Sequence, residues 1–174
     1  MFNLDLEANT TLKAVADLVG RTRNWRPALN EAAFYMEGKT KERIGKQVAP
    51  DGTPWAPLAK STIAAKKLRG SPLQALIDRG ILVAGIAAQP ASDTQSSVRA
   101  TAGAEYAGIM QYGSKPYKIR PKKKPYLTFL TEDGWRRVKE INHPGVPARP
   151  YLGFSDEDVA AIDRIFKRHV DGDL

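Results

Sequence analysis

Val159, Ile162, Phe166 and Val170 return every three or four positions, the spacing of one face of a helix. Ser155 precedes them as a cap, and Asp156, Glu157 and Asp158 place negative charge at the positive end of that helix. Lys167, Arg168 and His169 suit its negative end, and Gly172 lies just beyond. Near the start of the chain, Leu12, Val15, Ala16 and Val19 share a face of a helix opened by Thr10 or Thr11 and closed by Gly20. A second helix starts behind Asn24, tolerates Pro27 in its first turn, and carries Leu29, Ala33, Met36, Ile44 and Val48 inward, with Gly38 a weak point inside it.

Between these helices the pattern changes twice. Three prolines and Asp51-Gly52 break the chain over residues 50–58, which reads as a loop bearing a half-buried Trp55. A short helix is expected over 61–68, and the polar stretch from Lys66 to Pro72 is expected to be mobile. From Ile81 the reading is strands, at 81–86 and 97–101, with a turn region over 89–95. Tyr106, Ile109 and Met110 fit a helical turn ended by Gly113, and three further strands are expected at 118–120, 126–131 and 135–141, the last two joined at Asp133-Gly134. The sum is an α+β fold: N-terminal helices, an antiparallel sheet of about four to five strands, and a C-terminal amphipathic helix. Leu29, Met36, Ile44, Val98, Ile162 and Phe166 are the expected core.

Composition narrows the chemistry. With 174 residues and 42% hydrophobic content the chain can bury a core, and a single domain over 1–174 is expected. There is no cysteine, which removes disulfides, thiol nucleophiles and Cys-based metal sites. Asn3, Asp5 and Glu7 leave no room for the basic and apolar regions of a signal peptide, and no apolar run approaches a membrane span, so a protein made in a cytoplasm with no membrane partner is expected. His143 sits in a turn and His169 at a helix end, far from any nucleophile in sequence, so no catalytic residue, cofactor or metal site is expected.

Net charge is +8 and unevenly spread. Residues 111–150 hold ten Lys/Arg against three Asp/Glu, whereas 151–174 hold three against six. The densest run is Arg120, Lys122, Lys123 and Lys124 with Tyr117 and Tyr126 beside it, a candidate contact for nucleic acid or an acidic partner; its plainer reading is a solvated tip whose lysines guard a strand edge. Trp25, Trp55 and Trp135 read first as packing residues. Arg149, between Pro147 and Pro150, is held on a stiff extended strut, with two readings open: a bond to neighbouring carbonyls that stitches strut to sheet, or a contact with a partner that Tyr151 and Trp55 would share.

Four pieces in order, Pro50-Asp51-Gly52-Thr53-Pro54-Trp55-Ala56-Pro57-Leu58, Leu76-Ile77-Asp78-Arg79-Gly80-Ile81-Leu82, Tyr106-Ala107-Gly108-Ile109-Met110-Gln111-Tyr112-Gly113 and Val146-Pro147-Ala148-Arg149-Pro150-Tyr151-Leu152-Gly153-Phe154, resemble the phage virion morphogenesis family, the tail completion proteins of contractile-tailed bacteriophages. Asp78-Arg79-Gly80 departs from the Thr-Gly usual there, and 115–140 resembles the strand insertion of related neck and minor tail proteins. The resemblance implies a structural role in the virion, at the tail end or head-tail junction. It also implies neck and tail proteins as partners and a homo-oligomer such as a ring. It brings no catalytic residues. A basic nucleic-acid-binding module using residues 115–124, with non-specific DNA contact, is the alternative.

Overall fold

Ser155 fixes the last helix of the computed structural model, which describes residues 4–101, 104–131 and 134–172. Its hydroxyl accepts from the Asp158 amide at 3.2 Å while the Asp158 carboxylate accepts from the Ser155 amide at 2.7 Å, a reciprocal capping box that starts α6 (Asp156–Asp171). Gly172, at φ 92°, ends it. The other helices are α1 (Leu4–Arg23), α2 (Arg26–Lys46), α3 (Lys60–Arg69), α4 (Ile81–Gly85) and α5 (Ala104–Tyr112). The strands are β1 (Ile86–Gln89), β2 (Ser97–Ala100), β3 (Tyr117–Ile119), β4 (Leu127–Thr131), β5 (Gly134–Val138) and β6 (Ile141–His143). The fold is α+β, but among the described residues its strands form three two-stranded sheets, β1 with β2, β3 with β6 and β4 with β5, in place of the larger sheet expected.

Two compact units divide the chain. The first holds residues 4–38, 88–99 and 154–172. In it Ala28 and Ala32 of α2 are small enough to let Ile165 of α6 pack closely, with Tyr35, Ile162 and Phe166 around them. Trp25 lies 5.5 Å from the Phe166 ring and 5.4 Å from His169. His169 is buried, and its Nε2 meets the carbonyls of Arg21 and Asn24 at 3.1 and 2.8 Å, so that nitrogen carries the proton and donates. The expected helix-end cation is thus also a buried hydrogen-bond donor.

These polar bonds rotate α6 from the expected face. Asp158, Ala161, Ile165 and His169 are buried, Ile162 and Phe166 are half-buried at the edge, and Val159 is 56% exposed. Asp158 also accepts from the Tyr35 hydroxyl at 3.4 Å, so burying it satisfies a carboxylate that the apolar pattern would have turned outward. α1 likewise differs: it starts earlier and passes through Gly20, and Leu12, Val15 and Val19 are exposed. Of the expected core, Met36 and Ile44 are buried, while Leu29 and Val98 are half-buried.

The second unit holds residues 39–87 and 100–153, less the undescribed positions. α2 stops before Val48, which leaves the helix and bridges Pro54 across the loop. Residues 81–85 are helical, not extended: Gly80 at φ 75° lets its carbonyl accept from the Ala84 amide at 2.8 Å, and the turn buries Leu82 and Ile86 on one face. A short apolar run fits either period, and this glycine decides it. Lys66, expected in a mobile stretch, is buried, and its ammonium donates to the carbonyls of Pro72, at 2.8 Å, and Ile77. The strand expected over 135–141 is two strands, broken at Lys139 and Glu140. Asp133 of the expected turn lies outside the described residues; Gly134 opens β5 at φ 107°.

The rotated face of α6 gives a direct test. Ile165→Ala should lower unfolding free energy by about 2–5 kcal/mol, and Val159→Ala should change it by less than about 0.5 kcal/mol, both read by denaturant titration.

Candidate functional site

A buried arginine organises the second unit. Pro147 and Pro150 keep residues 146–150 extended, and the Arg149 amide donates to the Met110 carbonyl of α5 at 2.7 Å. The residue is 5% exposed, and its guanidinium reaches the loop over 50–58: Nε and Nη2 donate to the Ala56 carbonyl at 3.2 and 3.0 Å, and Nη2 to that of Pro57 at 3.1 Å. Among the described residues no carboxylate forms an ion pair with it. Burial lowers its pKa from the ordinary arginine value, but the group stays charged, because arginine starts far above neutrality. Among the described residues, carbonyl dipoles therefore solvate the cation.

Neighbouring side chains tie the same three segments. Trp55, half-buried, donates from Nε1 to the Pro150 carbonyl at 2.9 Å. Gln111 of α5 reads the backbone both ways: its oxygen accepts from the amides of Tyr151 and Leu152, each at 3.0 Å, and its nitrogen donates to the Leu152 carbonyl at 2.8 Å. Tyr151 is fully buried, with its hydroxyl donating to the Ala107 carbonyl at 3.4 Å; burial, helped by Tyr112, pushes its pKa up. Arg43 donates to the Gly153 carbonyl at 2.7 Å. Sequence reading singled out Arg149, Trp55 and Tyr151, for Arg149 as a stitch to carbonyls or a partner contact; the stitch is what the geometry within the chain contains, made to the 50–58 loop. It did not single out Gln111 or Arg43, although Gln111 stands inside one of the four quoted pieces.

Two glycines make the approach feasible. Gly113, at φ 74°, follows α5 where an added Cβ would lie 2.7 Å from the Val146 carbonyl oxygen and 2.9 Å from the Ala148 nitrogen. Gly145, at φ 93°, would place one 2.3 Å from the Ser114 carbonyl oxygen. Between them Ser114 and Val146 form an antiparallel bridge, with the Ser114 amide donating to the Val146 carbonyl at 2.9 Å. A side chain at either glycine would push the strut off α5.

Beside this clamp runs an open groove of about 1130 Å³ with Leu58, Leu76, Leu82, Met110, Phe129 and Val146 in its walls. Among the described residues no hydroxyl of its lining hydrogen-bonds His143. His143 Nδ1 accepts from the Gly145 amide at 3.1 Å and its ring stacks on Tyr117 at 4.8 Å. Among the described residues no group of three or more metal-ligating side chains occurs, and no helix is long and apolar enough to cross a membrane.

Arg120 pairs with Glu140 at 2.6 Å, and Lys118 with the same carboxylate at 3.0 Å, which holds the Glu140 pKa below its usual range. Lys122, Lys123 and Lys124 are exposed on the connection between β3 and β4, without an ion-pair partner among the described residues. This connection is not a hairpin tip, since β3 pairs with β6 and β4 with β5.

Arg149→Ala should destabilise the protein by about 3 kcal/mol, because it leaves two carbonyls short of their charged donor, and Gly113→Ala should do so at least as severely through φ strain and the backbone clash. Thermal and denaturant melts check both; unchanged midpoints would mean that the clamp carries little of the fold.

A family model described as the phage virion morphogenesis family matches residues 6–171. Tail completion protein S of Escherichia phage P2 is 30% identical over 141 residues, which cover 81% of this chain and 81% of that protein. No solved structure matches it.

Proposed function

This chain belongs to the phage virion morphogenesis family, and from that premise we propose that it is a structural, non-enzymatic protein that completes the tail and joins it to the head through protein contacts. The observation that carries this reading is the convergence of the quoted sequence pieces on one interior clamp. The pieces at 50–58, 106–113 and 146–154 meet through Arg149, Trp55, Gln111 and Tyr151. The piece at 76–82 is held by Lys66 and lines the adjoining groove. What these pieces build is rigidity and shape, with donors spent on backbone carbonyls and none poised for reaction. Such a scaffold suits a part that must present a fixed surface to neck and tail proteins in the virion. Arg149 and Tyr151 support that surface from within, and half-buried Trp55 fixes the loop at its edge. The matched span, 6–171, supports treating the chain as one family domain.

The alternative, a nucleic-acid-binding module, has the exposed Lys122, Lys123 and Lys124 in its favour, while the pairing of Lys118 and Arg120 with Glu140 removes two cations from it. A phage deleted for this gene should yield separate heads and tails and lose infective titre by orders of magnitude, with recovery from a plasmid copy. Joined, infectious particles without the gene would overturn the structural reading. Retention of the purified protein on duplex DNA should be weak and fall only slightly as salt rises; a steep fall, on the order of one decade of affinity per decade of salt for each phosphate contact, would favour the alternative.

A further inference from the structure

One wall of the open groove in the second unit is built under backbone strain. Gln47, at φ 60°, and Leu76, at φ 61°, are the non-glycine residues with left-handed backbone among those described, and both belong to this wall: Leu76 lines the groove, and the Gln47 side chain grips Ala75 beside it. The Gln47 amide nitrogen donates to the Ala75 carbonyl at 3.0 Å, and its oxygen accepts from the Ala75 amide at 2.6 Å. The buried Lys66 ammonium holds the same segment by the carbonyls of Pro72 and Ile77. A left-handed leucine costs free energy and persists only where its neighbours over-determine it, so this wall takes its shape before anything binds.

The charges in the lining are unequal in their commitments. Lys66, Asp78, Arg79 and Arg149 are its charged residues. Lys66 is spent on carbonyls and lies 3.6 Å from Asp78, Asp78 also faces Arg69 at 3.4 Å, and Arg149 is spent on Ala56 and Pro57. Arg79 is exposed, and among the described residues its side chain has neither a hydrogen bond nor an ion pair. An exposed arginine on an open surface is ordinary. Here it stands three residues after Leu76, on the preset wall of an apolar groove, and it leaves the lining with an excess of positive charge.

The geometry points to a short segment of another protein chain as the occupant, with apolar side chains against Leu58, Leu76, Leu82 and Phe129 and one carboxylate on Arg79. At about 1130 Å³ the groove exceeds the roughly 300–1,000 Å³ usual for a small ligand. Its lining also follows one antiparallel ladder from the Ser114–Val146 bridge to the Ile119–Ile141 pair, a length on the order of 15 Å that suits several residues of peptide. Apolar walls with a single uncommitted cation do not suit a polyphosphate backbone. The inference rests on the reading that this chain works through protein contacts, and it adds the chemistry that one partner must carry. A purified protein that binds no such peptide yet restores joined particles would sink the groove alone, whereas peptide binding by a protein dispensable for joining would sink the tail role alone.

The test is selection from a random dodecapeptide phage library on the immobilised full chain, followed by fluorescence anisotropy with the labelled synthetic peptide of the most enriched clone. Wild type should enrich Asp or Glu beside two or more apolar residues. Arg79→Glu should melt as wild type does, because the side chain it replaces holds nothing in the fold, and should bind that peptide at least tenfold more weakly. A second peptide, with Lys in place of its carboxylate, should reverse the preference and bind Arg79→Glu better than wild type. Leu58→Ala should weaken both pairings. If Arg79→Glu fails to fold, Arg79→Gln and Leu58→Ala carry the comparison, with the loss expected in each. Selection without an acidic residue, unchanged binding by a folded Arg79 variant, or no reversal with the Lys peptide would overturn the proposal. So would displacement of the peptide by equimolar dodecanoate, which would assign the groove to a small amphiphile, or a concentration-dependent mass that Arg79→Glu abolishes, which would seat a second copy there.

Discussion

A guanidinium held within the chain by peptide carbonyls, with no carboxylate paired to it among the described residues, is the constraint on which the second unit turns. An isolated buried charge is expensive, and Arg149 is tolerable because its planar fork places donors on Ala56 and Pro57 while its own amide is spent on Met110. Each acceptor is backbone, so the arrangement demands little of the side chains in the loop and much of its path. That explains the density of proline and glycine around it: Pro147 and Pro150 fix one wall, Pro54 and Pro57 the other, and Gly113 and Gly145 remove the Cβ atoms that would hold the walls apart.

The first unit solves a related problem with different groups. His169 and Arg21 cross-link the end of α1 and the end of α6 by donating to carbonyls left open at helix termini, at 2.8 to 3.1 Å. Trp25 covers the imidazole, and Asp158 fills the corresponding place at the other end of α6 through Ser155 and Tyr35. Ala28 and Ala32 of α2 meet Ile165 of α6 with Tyr35, Ile162 and Phe166 around them, so apolar packing in the middle and polar bonds at the helix ends act together.

Features governed by near neighbours were legible in the sequence. The limits of α6 followed from Ser155 and Gly172, the loop at 50–58 from its prolines, and the exposure of Lys122, Lys123 and Lys124 from their charge. Features set by distant partners were not. The face of α6 was misread because Asp158 and His169 are buried by groups more than a hundred residues away. Residues 81–85 fit two periods, and a positive φ at Gly80 chose the helix. The stiffness of the strut at Arg149 could be read from its prolines, and a bond to carbonyls was one of its two readings; that the carbonyls belong to Ala56 and Pro57 of the distant loop could not, and Gln111 and Arg43 gave no local sign of their roles.

The clamp has a consequence for the order in which the chain comes together. Ala56 and Arg149 are 93 positions apart, and Trp55 and Pro150 are 95 apart, so the entropy of closing a very long loop is met before these bonds can form. α2 and α3 need no such closure and can take shape as soon as they leave the ribosome, at synthesis rates of roughly 5–20 residues per second. The 50–58 loop must then wait, uncapped, for several seconds until the strut at 146–153 is made. Until then the Ala56 and Pro57 carbonyls lack the donors that Arg149 brings, and water must serve them.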